Sequence, residues 1–486
     1  MKRKVIPIRA VPAGAGPTDT ARVISLYEKQ PKIHPRAVHG WFAAWRWTLV
    51  WFTQALFYGL AWLPWHGRQA LLFDLDARRF FIFDLVLYPQ DFIYLTGLLV
   101  VCAFTLFLFT AVAGRLWCGY ACPQTVYTEI FLWVERVFEG DRHQRLKLEA
   151  APWGLNKLWR KSGKQLGWLA ISLWTGFTFV GYFTPIRSLA VEASHLSLGS
   201  WEWFWVLFYG LATYGNAGYL REQVCKYMCP YARFQSAMFD HDTLVISYDQ
   251  ARGDPRGTRA RSAKPADLGL GDCIDCGLCV QVCPTGIDIR EGLQYECIGC
   301  AACIDVCNGV MAKMHYQPGL IRYATQRGMA LHLDARGMLR HVLRPRVLVY
   351  SAVLLAITTA LAVGLATRSP FKVDVVRDRG SLARLVGEGD VENVYRLQLM
   401  NATESAQRLR IQVDGLKDAV VKSRPLVEVA PTEARWVPVV VQLPRESAQG
   451  LTPGVHPVHF RVDALSADGQ TVQASVSEAS TFMIPR

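Results

Sequence analysis

Thirteen cysteines in 486 residues carry most of the chemistry this sequence offers, and twelve of them fall into four groups. Two groups read Cys273-x2-Cys276-x2-Cys279-x3-Cys283-Pro284 and Cys297-x2-Cys300-x2-Cys303-x3-Cys307. In such runs three closely spaced thiolates grip three irons of a [4Fe–4S] cube, and the fourth cysteine ligates the other cluster. One cluster then takes Cys273, Cys276, Cys279 and Cys307, and the other takes Cys297, Cys300, Cys303 and Cys283. Asn308 stands where the pattern usually has proline, which shapes the turn and holds no metal. Zinc would use only four thiolates per ion and gives no reason for the doubled spacing. Disulfides belong to oxidising compartments, whereas this segment is expected in the cytoplasm.

The other two groups form an internal repeat, Cys118-Gly-Tyr-Ala-Cys122-Pro123 and Cys225-Lys-Tyr-Met-Cys229-Pro230. Each passes into a helix-like stretch, 124–138 and 231–239, and proline suits the first turn of a helix. A helix N-terminus lowers a neighbouring thiol's pKa, so these cysteines are expected as thiolates at neutral pH. Soft sulfur selects Cu(I), zinc or iron–sulfur. The spacing alone leaves open a metal site, a reversible disulfide or inert structural thiols. Cys102, alone within an apolar stretch, reads as a small packing residue.

These groups must be positioned by elements in lipid. Half the chain (51%) is hydrophobic and only 19% is charged, below the usual charged fraction of about 25% for soluble domains. With 12% aromatic residues the chain is not disordered. Five charge-free stretches approach the roughly 20 residues needed to span a bilayer: 47–65, 92–113, 166–186, 203–220 and 347–367. Lys and Arg number nine before the first stretch, then three, nine, one and sixteen in the successive connections. By the positive-inside rule, the N-terminus and both long loops are cytoplasmic and the last 119 residues lie outside. The net charge of +13 is thus an orientation signal, and nucleic acid is not an expected partner. The start, Met1-Lys2-Arg3-Lys4, lacks an immediate apolar run, so the first span is expected to remain as an anchor.

The expected fold is a multi-domain membrane protein: an all-α five-helix transmembrane bundle, a two-cluster ferredoxin-like insert and a C-terminal all-β immunoglobulin-like sandwich. Its parts are a cytoplasmic segment 1–46, a four-helix domain 47–248, a linker and dicluster domain 249–346, a fifth helix 347–367 and an outer domain 368–486. The stretch 249–272, rich in Arg, Gly and Pro, reads as a flexible, basic, lipid-facing linker. Alternating runs at 394–399, 409–413, 436–443, 455–462 and 471–476 suggest the sandwich strands. No histidine lies within a span, so intramembrane haem is not expected. His66 and His195 fall in the outer loops as solvated residues. No Gly-rich dinucleotide fingerprint or Walker run occurs, and no covalent-flavin motif is present.

With these residues in view, the chain resembles the CcoG/FixG family of membrane-bound polyferredoxins that assist assembly of C-type haem–copper cytochrome c oxidases. The resemblance rests on 69–75 (Gln-Ala-Leu-Leu-Phe-Asp-Leu), 88–92, 118–128, 221–249, 252–257, the double ferredoxin run and the C-terminal domain. Asp254 and Asp84 depart from the family pattern at positions remote from the proposed ligands. The resemblance implies a cupric reductase of the bacterial inner membrane, with Cys118, Cys122, Cys225 and Cys229 as catalytic copper site. Copper would be substrate or bound ion. The implied partners are oxidase assembly factors or a copper transporter or chaperone, with a cytoplasmic electron donor. The alternative is a polyferredoxin subunit carrying electrons from a quinol pool or cytoplasmic donor to a respiratory partner.

Overall fold

The computed structural model describes residues 32–485 apart from 264, 379, 381–382, 388 and 467–468. The basic start Met1-Lys2-Arg3-Lys4 therefore lies outside the described residues.

Each expected span coincides with a helix, but the boundaries move. The long helices are Trp41–Trp62, Phe92–Ala113, Leu155–Val180, Ser200–Thr213 and Pro345–Ala366. By length and composition, the segments that meet the requirement for crossing a bilayer are Pro89–Ala113 and Pro345–Ala366. The third helix begins eleven residues before the expected span and brings Lys157, Arg160, Lys161 and Lys164 into its first turns. It also ends at Val180, and Pro185 starts a separate helix, Ile186–Ser194. The fourth changes character at its polar run: α-helix gives way to a π-helical segment, Tyr214–Leu220.

Small residues let the helices pair closely, as in bilayer bundles. A Cβ on Gly176 would lie 2.3 Å from the Val206 carbonyl oxygen, so helix 155–180 meets helix 200–213 backbone to backbone. A Cβ on Gly97 would lie 2.4 Å from Leu361, and Tyr94 donates to the Gly364 carbonyl at 3.0 Å, joining helices 92–113 and 345–366. At the far end of this second pair, Arg344 donates to the Ala111 carbonyl at 2.6 Å.

The dicluster segment is held at that same end. Strand Val245–Tyr248 pairs antiparallel with Ile321–Ala324, and the cysteine runs lie between them in sequence. The stretch 249–272 is not a free linker. Asp272 N–H bonds the Arg252 carbonyl and Gly257 N–H the Cys273 carbonyl, while Arg252 pairs with Asp272 at 2.6 Å. Its arginines serve the fold rather than a lipid surface.

The C-terminal region forms two antiparallel sheets, 420–421/434–443/390–401/371–377 with 384–386 alongside, and 426–429/407–414/454–465/472–484. Alternation along 390–401 buries Val391, Tyr395, Leu397 and Leu399 against Phe460, Phe371 and Phe482. Buried Asn393 exchanges two 2.9 Å hydrogen bonds with the Met483 backbone and so ties the sheets together. Four strands were not foreseen: 371–377, 384–386, 420–421 and 426–429.

The loop after the first helix is likewise structured. Leu71–Asp74, Arg79–Ile82 and Leu85–Leu87 form a small sheet. It packs Leu72, Phe81, Val86 and Tyr88 against Met400 and Ala402 of the sandwich. Asp91, buried at the start of helix 92–113, pairs with Arg368 at 2.9 Å and Lys372 at 2.5 Å. The clusters and the sandwich thus attach to opposite ends of the two most apolar helices. Breaking a buried pair strands its partner charges, at about 3 kcal/mol. Asp91→Ala should therefore loosen the sandwich, lowering the first thermal transition and exposing the 367–370 junction to protease.

Candidate functional site

The two cysteine runs fold into adjacent cavities. One is lined by Cys283, Cys297, Cys300 and Cys303 with Ile246, Pro284 and Ile298. The other is lined by Cys273, Cys276 and Cys307 with Tyr248, Leu320 and Ile321. Cys279 lines both. The crossed sets expected from the spacing therefore each surround one cavity, and the cavities share a wall. Helix Ala302–Met314 does the crossing, with Cys303 facing one cavity and Cys307 the other. Asn308 sits inside this helix, where proline would remove a helical hydrogen bond. Its side chain accepts instead from Gly319 N–H at 2.9 Å.

The donor set fits iron–sulfur cubes. Burial pushes the Cys297 and Cys307 thiols up to about 12 and Cys279 to about 11. Such sulfurs stay protonated until a metal displaces the proton. Cys276 is the exposed member of the eight, while Cys273, Cys279 and Cys300 are buried. We call the cavity of Cys276 distal and the other proximal.

The proximal cavity abuts the repeated motifs. Cys118 and Cys225 pack on the cluster of Val282, Ile298, Cys300 and Ala302. A Cβ on Gly119 would lie 2.8 Å from the Gly299 carbonyl and 2.9 Å from the Cys300 Cα. Gly299 has φ +71°, and its own Cβ would press on Arg115 at 3.1 Å. Tyr323 fixes this loop by donating to the Gly299 carbonyl at 2.6 Å.

The two motifs are built alike at their second cysteine. Cys122 and Cys229 each precede a helix in extended conformation with proline at its first position, Pro123–Glu139 and Pro230–Met238. Their first cysteines differ, Cys118 lying in the short helix Leu116–Tyr120 and Cys225 in the π-helical Val224–Met228. Reciprocal hydrogen bonds knit the halves together. Gln124 donates to the Asn216 and Arg221 carbonyls at 2.9 and 3.1 Å, and Arg115 donates to the Ala232 carbonyl. Cys118 donates to buried Gln235 at 3.4 Å. Cys122 interacts electrostatically with Cys118, Cys225 and Cys229, so the four sulfurs form one group.

Burial works against the expected thiolates at Cys118, Cys122 and Cys225. Burial pushes Cys118 up to about 12 and Cys225 to about 11, and raises Cys122 as well. Backbone N–H groups of Gln124 and Thr125 do favour the Cys122 thiolate, but desolvation outweighs them. Among the described residues no three His, Cys, Asp or Glu side chains converge on a single ion. His66 is a surface residue bonded to Asp84 at 3.1 Å, and His195 ends helix 186–194.

Sequence reasoning missed the buried charges that brace this region. Glu135 pairs with Arg145 at 2.8 Å and Arg221 at 2.7 Å, and Glu139 with Lys164 at 2.9 Å. All five side chains are buried. The signal available was Glu135 and Glu139 sharing a helix face with Phe131 and Phe138, at spacings of three or four residues.

Comparison with known proteins agrees with this geometry. Residues 220–326 match a family model described as a 4Fe-4S dicluster domain, 95–140 a 4Fe-4S binding domain, and 361–485 the IG-like fold at the C-terminus of FixG. The nitrogen fixation protein FixG of Rhizobium meliloti is 38% identical over 460 residues, covering 86% of this chain and 88% of that protein. Protein RdxB of Cereibacter sphaeroides is 39% identical over 402 residues, covering 81% and 84%. A crystal structure of a FixG-related protein from Vibrio parahaemolyticus aligns with 24% of this chain and 97% of its own, at 22% identity and TM-score 0.20.

Two cubes contribute about eight irons per chain. Cys300→Ser should leave about four, from the distal cluster, whereas Cys118→Ser should leave about eight. Iron and sulfide quantification on purified protein checks both; equal losses would contradict the division of ligands.

Proposed function

The chain belongs to the FixG family of iron–sulfur redox proteins, and from that premise we propose that it reduces Cu(II) to Cu(I) for copper insertion into a C-type haem–copper oxidase. The observation that carries this reading is the approach of Gly119 to Gly299 and Cys300. It sets Cys118, with Cys225 beside it, against the residues that line the proximal cluster cavity. When bound, the clusters supply electrons one at a time. The chain does the rest: exposed Cys276 marks the entry face, and the shared wall at Cys279 links the cavities. Cys118, Cys122, Cys225 and Cys229 receive copper, which gains one electron and leaves as Cu(I), the state that thiolates prefer.

In this reading all five long helices cross the bacterial inner membrane, the clusters face the cytoplasm and the sandwich faces the periplasm. Its support is the attachment of clusters and sandwich to opposite ends of helices 92–113 and 345–366, together with the Lys/Arg asymmetry. The sandwich would be the surface for oxidase assembly factors or a copper carrier.

A second reading has its own observation. The 4Fe-4S binding family model spans Cys118 and Cys122, and in this reading the four membrane-face sulfurs are ligands of a further cluster in an electron relay.

The two readings separate in one experiment. The purified protein is reduced, freed of excess reductant, given Cu(II) and followed with a Cu(I)-specific chelator. Wild type should form Cu(I) well above the buffer rate. The Cys118/Cys122/Cys225/Cys229→Ser variant should keep its cluster iron but lose at least tenfold in rate. Equal rates would remove the proposed site, and a wild-type rate no faster than buffer would favour the relay.

A further inference from the structure

Arg46 lies on the first helix, one turn in from its start, and is only 7% exposed. Buried guanidinium groups are ordinarily paired, because an unpaired charge away from water is costly. The other buried arginines near the site follow this rule: Arg145 and Arg221 bond Glu135, and Arg115 bonds the Ala232 carbonyl. Arg46 makes no ion pair or hydrogen bond among the described residues, and its buried Nε has no partner. Its neighbours are accounted for elsewhere. Glu129 pairs with Arg136 at 3.6 Å. Asp305 accepts the Phe42 and Ala43 N–H groups at 3.2 and 2.7 Å, which pins the start of the first helix to the cluster-binding helix.

Arg46 lines a cavity together with Cys300, Ile298, Pro284 and Thr285. These same four residues line the proximal cluster cavity. A cube held by four thiolates is anionic, and more so once it has taken an electron. We propose that Arg46 is the counter-ion of the proximal cluster, and that its charge raises that cluster's reduction potential above the distal one's.

Arginine keeps its proton even when buried; burial opposes the Arg46 charge, while Cys300 and the carboxylates of Glu129 and Asp305 favour it. The distal cavity also has an arginine in its wall, Arg290. That charge is already met by Asp288 at 2.7 Å and Asp275 at 2.5 Å. One cavity thus has, behind the wall it shares with a neighbouring cavity, a cation that forms no ion pair among the described residues, and the other has a cation paired with two carboxylates. An electron entering at exposed Cys276 then moves downhill toward the membrane-face sulfurs. The inference requires the clusters but not copper, so it stands or falls separately from the cupric reductase reading.

The test is an anaerobic redox titration of the full-length protein followed by electron paramagnetic resonance, with Arg46→Gln and Arg46→Lys. In Arg46→Gln one midpoint should fall by 59 mV for each tenfold loss in the reduced-to-oxidised ratio, while the other stays in place. Arg46→Lys, which keeps the charge, should restore most of the shift. In a Cys300→Ser background, which lacks the proximal cluster, Arg46→Gln should move nothing. Unchanged midpoints, or a lysine variant displaced as far as glutamine, would overturn the proposal. Thermal unfolding of the iron-free protein gives a second readout if the glutamine variant loads poorly. Without the cluster the buried charge is unmatched, so iron-free Arg46→Gln should be more stable than iron-free wild type; equal or lower stability would count against it.

Discussion

A backbone contact too close for any side chain governs the cluster-bearing half of this protein. Gly119 and Gly299 meet at a distance that no Cβ could enter, and every other spacing there follows from it. Because the contact is between main chains, its length is set by covalent geometry rather than by flexible side chains. Cys118 and Cys225 are held against Ile298 and Cys300 for the same reason. Tyr323 locks the cluster side of the contact, and Gln124 and Arg115 lock the two motif halves to each other. The site is therefore a junction between two folded units, with neither unit complete alone.

Charge is buried around this junction in two different ways. Around Glu135 the ions satisfy one another, a pattern that rigidifies a core provided every member has its partner. Around Arg46 the ion waits for a group that arrives with iron. The first arrangement exists in the polypeptide alone, and the second is completed by assembly. Protonated cysteines tell the same story, since their burial suits neutral thiols until metal displaces the proton.

Much of this was legible in the sequence because the informative patterns are local. A Cys-x2-Cys-x2-Cys-x3-Cys run encodes its own loop, and both ligand sets emerged around their cavities as expected. The duplicated Cys-x3-Cys-Pro motif likewise announced its helix starts at Pro123 and Pro230. What was hidden depends on contacts across long separations. Gly119 looks like any glycine until Gly299, 180 residues away, is brought against it. The stretch 249–272 looked loose because its Arg252, Gly257 and Asp272 find partners only in the folded dicluster domain. Helix-start proximity suggested thiolates at Cys118 and Cys122, yet burial, which no local pattern reveals, reversed the balance. Strands 371–377 and 426–429 escaped because the first follows a helix directly and the second is only four residues long.

The clamp at Asp91 has a mechanical consequence. Asp91 is held by Arg368 and Lys372 at the root of the sandwich, and it sits immediately before helix Phe92–Ala113. That helix is a rod of about 33 Å at 1.5 Å per residue. Two residues beyond its end is Arg115, which presses on Gly299, and Cys118 follows one turn later. A partner that grips the sandwich and twists it therefore applies torque to one end of a stiff lever whose other end carries Cys118. Load on the far domain becomes strain at the junction, so the grip of a protein that never touches the clusters is felt where the electron changes hands.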